Sequence, residues 1–170
     1  VHGIAPDGYL HDVHDVCFDG LVPDPALAAA IASLPGRRIV YTNGTAPYAE
    51  KVLAARGLAG VFDAVYGVEH AGFAPKPRAE AFARVFAMDG LSADRAAMFE
   101  DDPRNLAVPH GLGMRTVHVA PEAAPQPHIH HHTDDLAVFL GALVQDARAG
   151  GSDPGAPGPQ GTQRAAREEP

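Results

Sequence analysis

Residues 37–45 read Arg37-Arg38-Ile39-Val40-Tyr41-Thr42-Asn43-Gly44-Thr45. Ile39, Val40 and Tyr41 are β-branched or aromatic, the composition of a short buried strand, and Asn43-Gly44 ends the run. Pro47 then opens a helix that continues through Val52 and Leu53 to Arg56, with Gly57 as its stop. A strand that hands directly to a helix is the building unit of a parallel sheet, because parallel neighbours require a crossover connection.

Outward from this stretch the unit recurs. Val61–Tyr66 reads as a strand and Pro77–Ala87 as a helix. Arg95–Phe99 is a second such strand, Pro103–Gly111 a helix, and Arg115–Val119 another strand. Asp134-Asp135-Leu136 caps a last helix reaching about Ala147. Upstream, Asp24 and Pro25 start a helix over LAAAIASL, which Pro35-Gly36 stops. The fold class is therefore α/β, a mostly parallel sheet with helices on both faces. Residues 1–22 break the alternation. HGIAPDGYLHDVHDV has helical spacing (Ile4, Tyr9, Leu10, Val13, Val16) with no strand before it. From about Gly150 the chain is Gly-, Pro- and polar-rich, and 148–170 reads as a disordered tail.

The bulk numbers fit one soluble domain: 170 residues, 46% apolar and 20% charged. A net charge of −8 gives no general attraction for nucleic acid or anionic lipid, so neither is expected as a partner. Any phosphate must be held locally. Cys17 is the single cysteine, which excludes an internal disulfide and fits a reducing, cytoplasmic setting. No apolar run approaches the roughly 20 residues of a membrane span. The sequence specifies no oligomeric state.

In an open parallel sheet, ligands bind at the carboxyl ends of the strands. Thr42-Asn43-Gly44-Thr45 follows the first strand, Lys76 lies beyond the second in Ala74-Pro75-Lys76-Pro77, and Glu100-Asp101-Asp102-Pro103-Arg104-Asn105 follows the third. A hydroxyl, an amide, an ammonium and a pair of carboxylates thus reach one edge. Adjacent carboxylates near a sheet core need a partner, and a hard cation such as Mg²⁺ supplies one. Lys76, between two prolines, is a compact positive charge for a phosphoryl oxygen. Thr42 and the main-chain N–H groups around Asn43 and Gly44 can donate to phosphate oxygens. Each piece also has a plain structural reading: TNGT as a turn, Lys76 as a surface lysine, Asp101-Asp102-Pro103 as a helix cap. Order and spacing favour the site: 34 residues separate Thr42 from Lys76, and 25 separate Lys76 from Asp101.

This ordered set resembles the haloacid dehalogenase-like (HAD) hydrolase superfamily over about residues 1–145, with YTNGT, APKP and FEDDPRN as its second, third and fourth motifs. HGIAPDGYLHDVHD, LVPDPAL, LPGRRIVYTNGT and FEDDPRNL are similar to its pyrimidine 5′-nucleotidase-like members. The resemblance implies a Rossmann-like core at 23–147, with 1–22 the remnant of a helical cap. It also implies Mg²⁺-dependent hydrolysis of a nucleotide-like phosphate monoester through an aspartyl-phosphate. Thr42 and Asn43 would bind phosphate, Lys76 would stabilise the phosphoryl group, and Asp101 would ligate Mg²⁺. Asp102 and Asn105 would order metal-bound water or the loop. The family's first motif, a strand ending in Asp-x-Asp-x-Thr, finds no match. Asp7, Asp12, Asp15 and Asp19 follow no apolar strand. The chain is therefore expected to lack its nucleophile and first strand, and to be inert alone.

Other readings keep the fold. A phosphoglycolate, sugar phosphate or haloacid could replace the nucleotide, or the chain could be a non-catalytic phosphate- or metal-binding module. A phospho-receiver domain would place its acidic pair first and its Lys last, the reverse of the order here. His128, His130, His131 and His132 occupy the place of a short terminal strand and are expected to be structural rather than metal-binding. His11 and His14 are expected to pack, and Cys17 has no partner that would make it a nucleophile.

Overall fold

The computed structural model describes Phe18 and residues 20–150. His11, His14, Cys17 and nearly all of the expected cap remnant lie outside these residues, as does the tail from Gly151. Residues 20–22 form a turn and extended chain.

Ten elements follow in the expected alternation. They are α1 (Pro25–Ala32), β1 (Ile39–Tyr41), α2 (Ala46–Ala55), β2 (Ala64–Tyr66), α3 (Ala79–Asp89), β3 (Ala97–Glu100), α4 (Ala107–Gly111), β4 (Arg115–Val119), β5 (His131–Thr133) and α5 (Leu136–Gly150). Local chemistry sets the ends. Asp24 Oδ1 accepts from the Leu27 N–H at 2.9 Å and caps α1, with Pro25 inside the first turn. Gly57, at φ +71°, closes α2, and Gly90, at φ +75°, closes α3.

Several boundaries differ from expectation: β2 starts at Ala64 rather than Val61, and β3 spans Ala97–Glu100 rather than Arg95–Phe99, with Arg95 ending a 3₁₀ turn. α3 begins at Ala79 rather than Pro77. The helix expected over 103–111 starts as a 3₁₀ turn, Pro103–Leu106, before α4. α5 continues through Arg148 to Gly150, so the first three residues assigned to a tail are helical.

All pairings are parallel. β1 pairs with β2 (Tyr41 opposite Tyr66), β3 with β4 (Glu100 opposite His118), and β4 with β5 (Val117 opposite His131). Among the described residues the strands form two sheets, β1-β2 and β3-β4-β5, and no strand joins them. Side chains bridge what the backbone does not. On one face, Phe82, Val85 and Phe86 of α3 pack with Ile39, Tyr41 and Tyr66 of the first sheet and Met98 of the second. On the other, Ile31, Leu58 and Leu140 gather Phe99, Leu136 and Phe139. Met98 and Phe99 point to opposite cores, as strand alternation requires. Phe82 is fully buried, a contribution of about 1.5–3 kcal/mol, and meets Tyr41 edge-on at 5.6 Å.

Candidate active site

The carboxyl ends of β1 and β3 face one another across an open cleft of about 370 Å³. Tyr41, Phe99, Val119 and Leu136 supply apolar walls, and Thr42, Lys76, Glu100 and Asp101 supply the polar groups. Thr42, Lys76 and Asp101, expected at one sheet edge, all line this cleft.

Thr42 continues the ladder beyond β1, its N–H donating to Tyr66 O at 2.9 Å. Its Oγ1 accepts from the Gly44 N–H at 3.0 Å, which folds the TNGT turn around the hydroxyl. Thr45 caps α2. Glu69 Oε1 accepts from the Ala46 N–H at 2.8 Å, and the Val68 N–H donates to Gly44 O at 2.9 Å. The β2 loop thus grips the start of α2. The approach is close enough that a Cβ on Gly67 would lie 2.3 Å from Ala46 N.

The Asn43 side chain turns to Lys76. Its Oδ1 accepts from the Lys76 N–H at 2.7 Å, and its Nδ2 donates to Lys76 O at 3.2 Å. The amide is committed to the main chain of Lys76, so its side chain positions the lysine instead of facing phosphate. Lys76 Nζ donates to Tyr41 O at 3.0 Å, lies 5.2 Å from the Tyr41 ring centroid and forms an ion pair with Glu100. Both side chains of that pair are only 8% exposed. Burial pushes the Tyr41 phenol up to about 12, so the ring stays neutral beside the ammonium.

The carboxylate pair in the cleft is Glu100 and Asp101, not Asp101 and Asp102. Glu100 ends β3 with its side chain buried. Desolvation, and then hydrogen bonding to Asp101, push its carboxyl above the usual range against the pull of Lys76. Asp101 is held low, chiefly by the hydrogen bond from Glu100. Asp102 turns away. Its Oδ1 accepts from the Arg104 N–H at 3.0 Å, and its Oδ2 meets Arg104 Nη2 at 2.6 Å. That cap pairs Asp102 with Arg104 outside the cleft lining, where it orders the loop. Asn105 is buried, with Oδ1 unpaired among the described residues.

One ammonium faces two carboxylates here, and the excess negative charge with hard oxygen donors fits a divalent cation such as Mg²⁺. Glu100 and Asp101 would hold it. Among the described residues no cluster of three or more His, Cys, Asp or Glu could do so alone, so water or substrate oxygens would complete the shell. The four histidines of the 128–132 segment serve the fold around β4 and β5: His128 Nε2 bonds Pro103 O at 2.9 Å and His132 Nε2 bonds Ala120 O at 2.8 Å.

The sequence profile of the haloacid dehalogenase-like hydrolases matches residues 6–112, more than half of the chain. The chain belongs to the haloacid dehalogenase-like hydrolase family. No curated protein is detectably similar in sequence. Solved structures of HAD proteins share the fold. The L-2-haloacid dehalogenase from Xanthobacter autotrophicus, with chloropropionic acid covalently bound, superposes with a TM-score of 0.61 at 21% identity, covering 77% of this chain and 63% of its own. A putative HAD-hydrolase from Bacillus subtilis, bound to magnesium, gives 0.58 at 23%, covering 69% and 53%. The HAD phosphatase from Thermococcus onnurineus gives 0.58 at 18%, covering 83% and 65%. The chain thus spans less than two thirds of each of these HAD proteins. No helix among the described residues is long and apolar enough to cross a membrane.

Proposed function

We propose that this chain is the larger part of a Mg²⁺-dependent HAD phosphatase acting on a small phosphate monoester, with a nucleoside monophosphate as the substrate class. The observation that carries the reading is the buried Lys76–Glu100 pair beside Asp101, facing Thr42 across a cleft at the strand ends. Thr42 Oγ1 donates to a phosphoryl oxygen. Lys76 balances charge as phosphorus is attacked, and Glu100 and Asp101 hold the cation. Mg²⁺ would supply charge neutralisation on the phosphoryl oxygens. The nucleotide preference and the cytoplasmic setting rest on the sequence motifs and on Cys17.

The attacking carboxylate is assigned to a strand that pairs between β1 and β3, upstream of Val1. Two facts support this. Among the described residues, the sheets present unpaired edges at that gap, and the cleft lining contains no carboxylate besides Glu100 and Asp101, which the cation would occupy. A haloacid substrate is the second reading, because dehalogenases are among the similar structures. The carboxylate pair weighs against it: halide displacement creates a single negative charge, which Lys76 alone could balance.

The test is phosphate release from a panel of monoesters by the protein extended upstream in its own reading frame. Lys76→Ala should lower kcat by about 10²–10³-fold, and Asp101→Asn should raise the Mg²⁺ requirement steeply. Unchanged rates in Lys76→Ala would remove that residue from the site.

A further inference from the structure

Asp101 and its neighbours are gripped from behind by two imidazoles that the proposed chemistry leaves unused. His118, on β4 and 3% exposed, has Nε2 at 3.0 Å from Asp101 O. His128, in the β4–β5 connection, has Nε2 at 2.9 Å from Pro103 O. A carbonyl only accepts, so both rings must carry their proton on Nε2 and donate. The two acceptors flank Asp102 on the acidic loop.

The Asp101–Asp102 peptide is held at both ends. Its carbonyl points to His118, while its N–H, on Asp102, points to Asp101 Oδ1 at 3.1 Å and Glu100 Oε1 at 3.4 Å. Rotating that peptide would turn a carbonyl oxygen toward two carboxylates. His118 therefore keeps a donor facing the pair. His128 is anchored in turn: Thr116, fully buried on β4, donates from Oγ1 to His128 O at 2.8 Å, and the His130 N–H donates to Thr116 O at 3.1 Å. His132 packs its ring 5.6 Å from that of His118 and bonds Ala120 O.

We infer that His118 and His128 are positioning residues for the acidic loop, setting the main chain of Asp101 to Pro103 so that the Asp101 carboxylate stays aimed into the cleft. This rests on the reading of Asp101 as a cation ligand. It also gives the histidine-rich segment a role: it fastens the loop to the sheet.

The experiment is NMR on the ¹⁵N-labelled 170-residue chain, with Mn²⁺ as a paramagnetic stand-in for Mg²⁺. Long-range ¹H–¹⁵N spectra near pH 7.5 should show the Nε2-protonated tautomer at both residues; an Nδ1–H tautomer at either would overturn the inference. The Nε2 of a glutamine side chain can reach the same carbonyl. His118→Gln and His128→Gln should therefore keep the amide resonances of 101–105 near their original positions. His118→Leu and His128→Leu, which lack a donor, should displace them and weaken Mn²⁺ broadening at Asp101 several-fold. Leu variants with those amides unmoved would also overturn it. If His118→Leu fails to fold, the tautomers and the His128 variants decide. Absence of Mn²⁺ broadening, with tautomers and amide shifts as expected, would overturn the metal reading and support the brace.

Discussion

On the β1 side of the cleft, Thr42 and Lys76 sit on loops, and loop-to-loop bonds place them: Asn43 clasps Lys76, and Glu69 grips the start of α2. On the β3 side, Glu100 and Asp101 sit at a strand end, backed by histidines from β4 and its following connection. On the first side, Thr42 is held by the ladder bond from its N–H to Tyr66 O, and Lys76 by bonds across loops. The second is tied to a three-stranded sheet. Lys76 reaches from one to the other through its pair with Glu100. In the proposed chemistry, the lysine that would balance phosphoryl charge is carried on a loop, and the carboxylates that would hold a cation follow a strand of the sheet.

Breaking that link should have the largest effect on stability. Lys76→Met leaves the buried Glu100 carboxylate without its partner, at a cost of about 3 kcal/mol in urea unfolding near neutral pH. The Glu100 carboxyl is already raised by burial, and without Lys76 it rises further. Acidification protonates it and relieves the penalty, so the deficit should shrink as pH falls. A constant deficit across pH would mean the pair carries no charge-dependent energy.

Gly67→Ala tests the β1 side alone. Its Cβ would lie 2.3 Å from Ala46 N, so α2 or the Glu69 loop must move, at about 1–3 kcal/mol. Amide shifts should change around 42–46 and not around 101–105. Asn43→Ala should cost about 1 kcal/mol and displace Lys76. Asn43→Asp sharpens the assignment, since one carboxylate oxygen can accept from the Lys76 N–H while the other faces Lys76 O. It should recover part of the loss but not all.

The smallest effect lies away from the cleft. The Asp63 carboxyl is held low, first by the hydrogen bond from the Arg38 N–H. A depressed folded value stabilises above the unfolded value and is lost as pH falls through the folded one. Asp63→Ala should therefore lose slightly more stability at pH 7 than at pH 3. Equal losses would remove the charge from that contact.

The alternation of strands and helices was legible because the helices carry their own caps and stops, Asp24-Pro25, Pro35-Gly36 and Gly57 among them. Thr42, Lys76 and Asp101 were legible for a related reason: strand ends in a parallel sheet point at one edge. Of the two roles expected for Asp102, the loop-ordering one has a local cause, since its partner Arg104 lies only two residues on. Glu100 was overlooked as half of the pair because its burial depends on Lys76, which is distant in sequence. Asn43 and the histidines were out of reach for the same reason. Their partners are main-chain carbonyls and N–H groups of distant segments, which leave no mark on side-chain patterning.

In the proposed reading, this cleft handles phosphate once an attacking carboxylate enters between β1 and β3. Steady-state phosphate release from nucleoside monophosphates, measured for the 170-residue chain and for the upstream-extended protein with and without Mg²⁺, tests it most directly. Turnover is expected only for the extended protein with Mg²⁺. Mg²⁺-dependent turnover by the 170-residue chain itself, lost in Asp101→Asn, would contradict the account.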